Sequence, residues 1–189
     1  MKRAKTLQAD ELKLVLAYVA SRPHALRNRT IVQISFLSGM RAHEIASLRL
    51  GDVIDDAGRV RDEIILSTEQ TKGRRPRRVF INARLRKELT AYVKDQFANI
   101  DPVLPLFCSQ KRRAFNANTM CQLFLGIYKY CGIKGASSHS GRRTFITNLA
   151  SKSVSVRVLA ELAGHSSITT TQRYIDVNDQ QLRNAVELA

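Results

Sequence analysis

The chain has 189 residues, 44% of them hydrophobic, which is enough for one globular domain with a real core and excludes a disordered chain. Lysine and arginine number 31 against 16 acidic residues, a formal net charge of +15 that favours a polyanionic partner, above all nucleic acid. A membrane partner is disfavoured, because no stretch reaches the roughly 20 apolar residues that span a bilayer and no segment opposes a basic face to a large apolar one.

The cysteines and histidines give little support to a metal site. The three cysteines are odd in number and widely spaced, and the four histidines form no HExxH pattern. This spacing is typical of ordinary thiols in a reducing cytosol. The basic amino terminus lacks the apolar core of a signal peptide. We therefore expect a cytoplasmic, nucleoid-associated protein with no metal.

The amino-terminal third is predicted to be helical. Thr6 is a suitable cap for a first helix over 7–20. A second helix is predicted over 25–38, ending at Gly39, which is typical of a left-handed C-cap. A short third helix is predicted over 42–50.

The hydrophobic periodicity then changes to that of short strands. Segments 52–56, 63–68 and 77–81 predict a small antiparallel sheet of about three strands. A basic turn over 70–76 joins the last two segments.

From Ala83 onward the pattern is helical again. We find no internal repeat, low-complexity tract or interdomain linker, so residues 1–189 are expected to form one mainly α domain with a small antiparallel β-sheet (α+β). The predicted helices cover 83–98, 116–131, 140–151, 154–163, 167–175 and 178–188.

Two arginines in separate segments suit a phosphodiester, which gains negative charge in its pentacoordinate transition state. Arginine binds two non-bridging oxygens at once, and two arginines could hold the phosphate for in-line attack. The candidates are Arg41 in SGMRAHE and Arg142 in HSGRRTF. His139 would share a helix face with Arg142, and Glu44 could orient the Arg41 guanidinium.

Tyr174, nine positions after His165 in LAGHSSITTTQRY, is the candidate nucleophile. A tyrosine attacks covalently only where cations and hydrogen-bond donors surround its target. Lys72, in the basic turn, could protonate the leaving 5′-oxygen, and His165 could donate to the phosphate. His139 could help take the tyrosine proton. The energy of the broken bond would be kept in the tyrosine ester, so rejoining would need no ATP.

Each of these residues has an ordinary interpretation when taken alone. A single arginine or lysine in so basic a chain usually contacts solvent or a DNA backbone. Tyr174 could be half-buried on an amphipathic helix, and His165 could simply cap one. The presence of the complete set in this order favours a catalytic site over these separate roles. The remaining tyrosines are expected to pack in the core: Tyr18, Tyr92, Tyr128 and Tyr130.

This ordered set resembles the tyrosine recombinase family, the phage integrase, Xer and Cre group, and the resemblance runs from about residue 7 to 177. Four segments are similar to the family's motifs: the first arginine box at 38–53, the β-hairpin lysine at 71–73, the HxLRH box at 139–145, and the LGH…Y box at 162–174.

The resemblance implies that Arg41, Lys72, His139, Arg142 and His165 assist Tyr174 in forming a 3′-phosphotyrosine. It implies a mainly helical catalytic domain with a small sheet near the site and no metal or nucleotide cofactor. Further DNA contacts are expected from Arg74, Arg75, Arg77 and Arg143.

The expected partners are double-stranded DNA with specific recombination sites, three further copies in a synaptic tetramer, and accessory DNA-bending proteins. The tail over 176–189, with apolar Leu182, Val186 and Leu188, would dock on a neighbouring protomer or on its own domain.

Two departures from the family accompany the resemblance. Gly141 and Arg143 stand where leucine and a histidine or lysine are usual, although neither is a direct reactant. The amino-terminal core-binding domain is not in this chain, so we expect either a fragment of a longer integrase or a small single-domain invertase.

Two other functions stay open. One is a non-catalytic DNA-binding accessory protein of the same fold, and the other is strand relaxation of the type IB topoisomerase kind.

Overall fold

The computed structural model describes residues 4–71, 75–98, 101–110, 113–175, 182–183 and 186–187. The elements in these ranges are mostly helices, as predicted. In chain order they are α1 Ala9–Ala20, α2 Ala25–Ser38, α3 Ala42–Ala46, α4 Leu50–Val53, β1 Glu63–Leu66, β2 Arg77–Phe80, α5 Ala83–Gln96, α6 Ala117–Tyr130, α7 Ser140–Ala150, α8 Val156–Ala163 and α9 Ile168–Gln172.

Helix α2 is the centre of the fold. It packs against α1, α3, α5 and α7, and ten of its 14 residues are buried. A helix that is covered on all sides has no polar face, so polar residues such as Gln33 and Ser35 are buried with the apolar ones. Its C-cap, Gly39, adopts the left-handed conformation expected from the sequence, with φ of 65°.

The sheet of the described residues has two strands, so the expectation of about three was wrong. Strands β1 and β2 pair antiparallel, with Glu63 opposite Phe80 and Leu66 opposite Arg77. Residues 52–56 form no strand, because Asp52 accepts the Arg49 backbone N–H at 2.8 Å and so caps the short helix α4. Within 52–56, which the structure describes in full, the β-structure is one bridge between Ile54 and Val60.

The predicted third helix is divided into α3 and α4. The backbone between them pairs with a distant loop: Leu50 donates to Leu104 O and Leu106 donates to Leu48 O, both at 2.8 Å. These bonds satisfy the backbone groups that a continuous helix would have used internally.

Helix α1 begins later than predicted. Its N-cap is Gln8 rather than Thr6, and the Thr6 hydroxyl instead accepts the Arg143 Nε–H at 3.1 Å. Four other helices match their predicted bounds within two residues: α5, α6, α7 and α8. Most of the helix expected over 178–188 lies outside the described residues.

The tyrosines divide between core and surface. Tyr92 and Tyr128 are buried, as predicted. Tyr130 is 71% exposed, so its placement in the core was wrong. Its ring stacks on Tyr18 with centroids 5.6 Å apart. Tyr18 itself is partly buried and packs against the core.

Two features are absent from the described ranges, a membrane-spanning helix and a cluster of metal-ligating side chains. No helix there is long and apolar enough to cross a bilayer. Nor do those ranges bring three or more histidine, cysteine, aspartate or glutamate side chains together in a way that could hold a metal ion.

Candidate active site

Four of the predicted residues meet at one end of α2, although they come from three separate segments. Arg41 follows Gly39 and is the N-cap of α3, while Arg142 lies in the first turn of α7, which packs against α2. His165 and Tyr174 flank α9. Packing of these helices therefore brings together side chains that are far apart in the chain.

The carboxyl end of α8 is held by three guanidinium groups, which we call the arginine cluster. The last carbonyls of a helix have no partners within it and carry partial negative charge, so cations bind there favourably. Gly164, left-handed with φ of 59°, turns the chain immediately after this end. The donors and acceptors are Arg77 Nη1 to Leu162 O at 2.9 Å, Arg142 Nη2 to Ala163 O, and Arg41 Nη2 to Gly164 O at 3.2 Å.

Glu44 is the carboxylate at the centre of the arginine cluster. Its side chain is 0% exposed and accepts from Arg41 Nη1 at 2.9 Å and from Arg77 Nη2 at 2.8 Å. Burial alone would raise the pKa of Glu44, but the charges and hydrogen bonds of Arg77 and Arg41 outweigh it and hold the pKa below its ordinary value. Glu44 therefore stays ionised and joins the two arginines to each other.

Arg142 is the most deeply buried cation of the cluster, with 4% exposure. Its guanidinium donates to Gly39 O at 2.8 Å as well as to α8. Burial, together with the nearby charges of Arg41 and Arg77, lowers the pKa of Arg142 to about 9, so it remains a cation at pH 7.

The cluster carries more positive charge than its own carboxylate balances, since three guanidinium groups surround Glu44. An anion bound beside Arg41 and Arg142 would reduce their mutual repulsion. A phosphodiester has the charge and the oxygen geometry for this position.

His165 and Tyr174 lie beside the arginine cluster. Their rings stack with centroids 5.8 Å apart and planes inclined by 19°. Burial, together with the charges of Arg142, Arg41 and Arg77, lowers the pKa of His165 to about 4, so the imidazole is neutral at pH 7. In that state His165 can donate a hydrogen bond but carries no charge of its own.

The Arg143 guanidinium carbon lies 5.1 Å from the centroid of the Tyr174 ring, while its Nε bonds to Thr6. Arg143, expected to contact DNA, thus contacts the candidate nucleophile.

The other predicted site residues are placed as follows. His139 is the exposed N-cap of α7, one turn before Arg142. Arg75 is exposed, and its carbonyl accepts from Thr71. Lys72 and Arg74 lie outside the described residues.

Arg77 differs from its predicted position on the DNA-contacting surface. Only 9% of its side chain is exposed, and the guanidinium points inward to Glu44 and α8. The signal was present in the sequence: Arg77 is two residues before Val79, so both point to the buried face of β2. The strand's alternation therefore assigns Arg77 to the interior.

The sequence profile of the phage integrase family matches residues 5–181. The chain belongs to the phage integrase family.

Relatives within the family are longer than this chain. It is 28% identical over 185 residues to tyrosine recombinase XerA of Thermococcus kodakarensis, covering 98% of this chain and 62% of that protein. It is 30% identical over 192 residues to tyrosine recombinase XerD of Mycobacterium leprae, covering 95% of this chain and 58% of that protein. The chain thus spans about three-fifths of the length of these curated relatives.

Solved structures of the family have the same fold. The crystal structure of XerA recombinase superposes on all of this chain with a TM-score of 0.77 and 26% identity, and 66% of the XerA chain is covered. A lambda integrase dimer bound to a COC′ core site matches 95% of this chain and 62% of its own, with a TM-score of 0.70 and 18% identity. The second likeness shows the fold alone.

Proposed function

We propose that this chain is the catalytic domain of a site-specific DNA recombinase, which cleaves and rejoins strands through Tyr174. One observation carries the proposal. Arg41 and Arg142, whose positive charge the Glu44 carboxylate does not fully balance, lie beside His165 and Tyr174. The curated relatives named as tyrosine recombinases support the same chemistry.

In the proposed cleavage step, the Tyr174 oxygen attacks phosphorus, and the bond from phosphorus to the 5′-oxygen breaks. The products are a 3′-phosphotyrosine and a free 5′-hydroxyl. Arg41 and Arg142 bind the non-bridging oxygens and neutralise the charge that develops on them. Glu44 and Arg77 keep the Arg41 guanidinium fixed, so little reorganisation accompanies the step.

Two protons must be accounted for in this step. The tyrosine proton leaves toward His139, at the start of α7, and the leaving 5′-oxygen receives a proton from Lys72. Because His165 is neutral at pH 7, it acts through a hydrogen bond to a phosphate oxygen. In rejoining, the 5′-hydroxyl attacks the phosphotyrosine, and the same groups exchange their proton roles.

We propose double-stranded DNA with specific recombination sites as the substrate, and integration, excision or inversion as the outcome. The net charge of +15 supports a polyanionic partner. The proposed location is the cytoplasm, at the nucleoid. On DNA, the protein would form a tetramer with accessory bending proteins. Its tail would contact a neighbouring copy, which accords with the exposure of Leu182 (56%) and Val186 (73%).

The test is a trap for the covalent intermediate. The protein is incubated with a nicked duplex from its own genomic junction, and denaturing gels are run for a protein–DNA adduct. We expect an adduct with the wild type, none with Tyr174→Phe, and a normal yield with Tyr130→Phe, a matched control at an exposed tyrosine. DNA binding should be equal in all three proteins.

The other outcomes distinguish the alternatives. An adduct that persists in Tyr174→Phe would exclude Tyr174 as the nucleophile. DNA binding without any adduct would favour an accessory protein. Relaxation of a plasmid that lacks a target site would favour strand relaxation of the topoisomerase kind.

A further inference from the structure

Thr171 bonds directly to the imidazole of His165. Its hydroxyl oxygen lies 2.8 Å from Nδ1 of that ring. The side chain of Thr171 is 0% exposed, in helix α9, whereas His165 is only partly buried. The bond therefore connects the partly exposed imidazole of His165 to a side chain that is buried in the protein interior.

The direction of this hydrogen bond follows from where the hydroxyl proton can go. The buried hydroxyls of Thr30 and Thr144 donate to the carbonyl four residues earlier, each at 2.8 Å. For Thr171, the described part of the chain provides a different partner, Nδ1 of His165. A buried hydroxyl proton without an acceptor is costly, so the Thr171 proton points to the Nδ1 lone pair.

This direction determines which ring nitrogen is protonated. His165 is neutral at pH 7, since burial and three arginines lower its pKa to about 4. A neutral imidazole carries one proton, so a ring that accepts at Nδ1 carries it on Nε2. Stacking on Tyr174 restrains the same ring.

We propose that Thr171 is a positioning residue that holds His165 in the tautomer protonated on Nε2, ready to donate to the scissile phosphate. The tautomer is a property of the protein without DNA. Its consequence for cleavage rests on the proposed function. A ring protonated on Nδ1 would present a lone pair to the phosphate oxygen and repel it.

The tautomer can be measured directly by long-range 1H–15N correlation spectra of protein labelled with 15N-histidine at pH 7. His165→Gln assigns the signal among the four histidines. We expect the wild type to show a protonated Nε2 and an unprotonated Nδ1. Thr171→Ser should keep this pattern, and Thr171→Val should lose it. Thr170→Val is the matched control, an exposed threonine in the same helix.

Adduct formation is measured on the same variants with the nicked duplex. Thr171→Val should lower the cleavage rate by on the order of 10- to 100-fold, the usual effect of losing a bond that orients a functional imidazole. DNA affinity should be unchanged, and Thr171→Ser should restore the rate.

A wild-type His165 protonated on Nδ1 would overturn the proposal, even if Thr171→Val did not fold. So would a Thr171→Val protein with wild-type tautomer and rate, or a Thr170→Val protein with the same losses. If no wild-type adduct forms, the recombinase proposal fails, while the spectra still decide the tautomer.

Discussion

The carboxylate of Glu44 determines the arrangement of the arginine cluster at the residue scale. It is fully buried and bonded to both Arg41 and Arg77, whose guanidinium groups would otherwise repel each other. A buried carboxylate is stable only with its partners, because charge in the interior is costly when uncompensated. Arg77 therefore mainly stabilises the fold. Its effect on catalysis is indirect, through the Glu44 carboxylate that also binds Arg41.

Replacing Arg77 with alanine leaves Glu44 with one cation fewer in the interior. We expect the free energy of unfolding to fall by on the order of 3 kcal/mol, as when one partner of a buried ion pair is removed. Arg78→Ala is the control, since Arg78 is 62% exposed and pairs with Glu63 at the surface. Its effect should stay within about 1 kcal/mol.

Urea denaturation of both variants measures the difference. Equal losses in the two proteins would contradict the inward role of Arg77.

His165 gives the protein a pH-dependent stability. Its pKa is about 4 in the folded protein, against an ordinary value of 6.5, because burial and nearby arginines disfavour the charged ring. Between these values the unfolded chain binds more protons, so stability falls as the pH drops from 6.5 toward 4. The loss should be about 1 to 3 kcal/mol, less than the full conversion of that pKa difference because solvent screens the partly buried ring.

The check is a series of denaturation curves for wild type and His165→Gln at pH 7, 6, 5 and 4.5. The variant should lose less stability across the series. Glu44 loses its own contribution as the pH falls through and below its ordinary pKa of 4.5, because its folded pKa is lower, and this loss is common to both proteins. Parallel curves for the two proteins would exclude His165 as the cause.

At the scale of elements, the contact between α2 and α7 positions Arg142. Gly141 lies where the two helices approach closely: a β-carbon there would be 2.2 Å from Ser35 Oγ and 3.0 Å from the Phe36 ring. The close approach therefore leaves no room for a side chain at position 141. The next residue is Arg142, so any displacement of α7 moves the guanidinium.

Gly141→Ala should therefore destabilise the fold by about 1 to 3 kcal/mol through overpacking. It should also slow adduct formation. Gly126→Ala is the matched control in helix α6, because a β-carbon at Gly126 meets nothing within 4 Å. That variant should be neutral or more stable by about 0.5 to 1 kcal/mol. Thermal denaturation compares the two, and equal effects would show that the α2–α7 contact can relax.

At the scale of the whole molecule, the excess of positive charge controls association with DNA. With a formal charge of +15, binding should release counterions from several phosphates. For six or more contacts, affinity should fall by about 10³-fold or more between about 50 and 200 mM salt.

Arg75→Ala should reduce the slope of log affinity against log salt by about 1, because Arg75 is exposed in the basic turn. Fluorescence anisotropy over a salt series measures the slope. A flat salt dependence would contradict binding dominated by the DNA backbone.

The sequence was sufficient for features that depend on local spacing. Helix α2, with its glycine cap, and helices α5 to α8 were predictable from 3.6-residue periodicity and turn residues. The candidate set was recognisable because attack of a tyrosine on a phosphodiester needs cations and hydrogen-bond donors around the phosphate. Its members are Arg41, Arg142, His165 and Tyr174. Strand alternation also indicates the inward direction of Arg77, for which the sequence analysis predicts a DNA contact.

Only the tertiary structure decided features that join distant segments. Arg77 meets Glu44 across 33 positions and Leu162 across 85, and Arg143 meets Thr6 across 137. The pairing of residues 48–50 with the loop around Pro105 likewise divided a predicted helix in two. Local periodicity records which face of an element is apolar, but not which element covers it. Buried charges and backbone groups take their partners from whatever packing brings near, and here that packing determines the site.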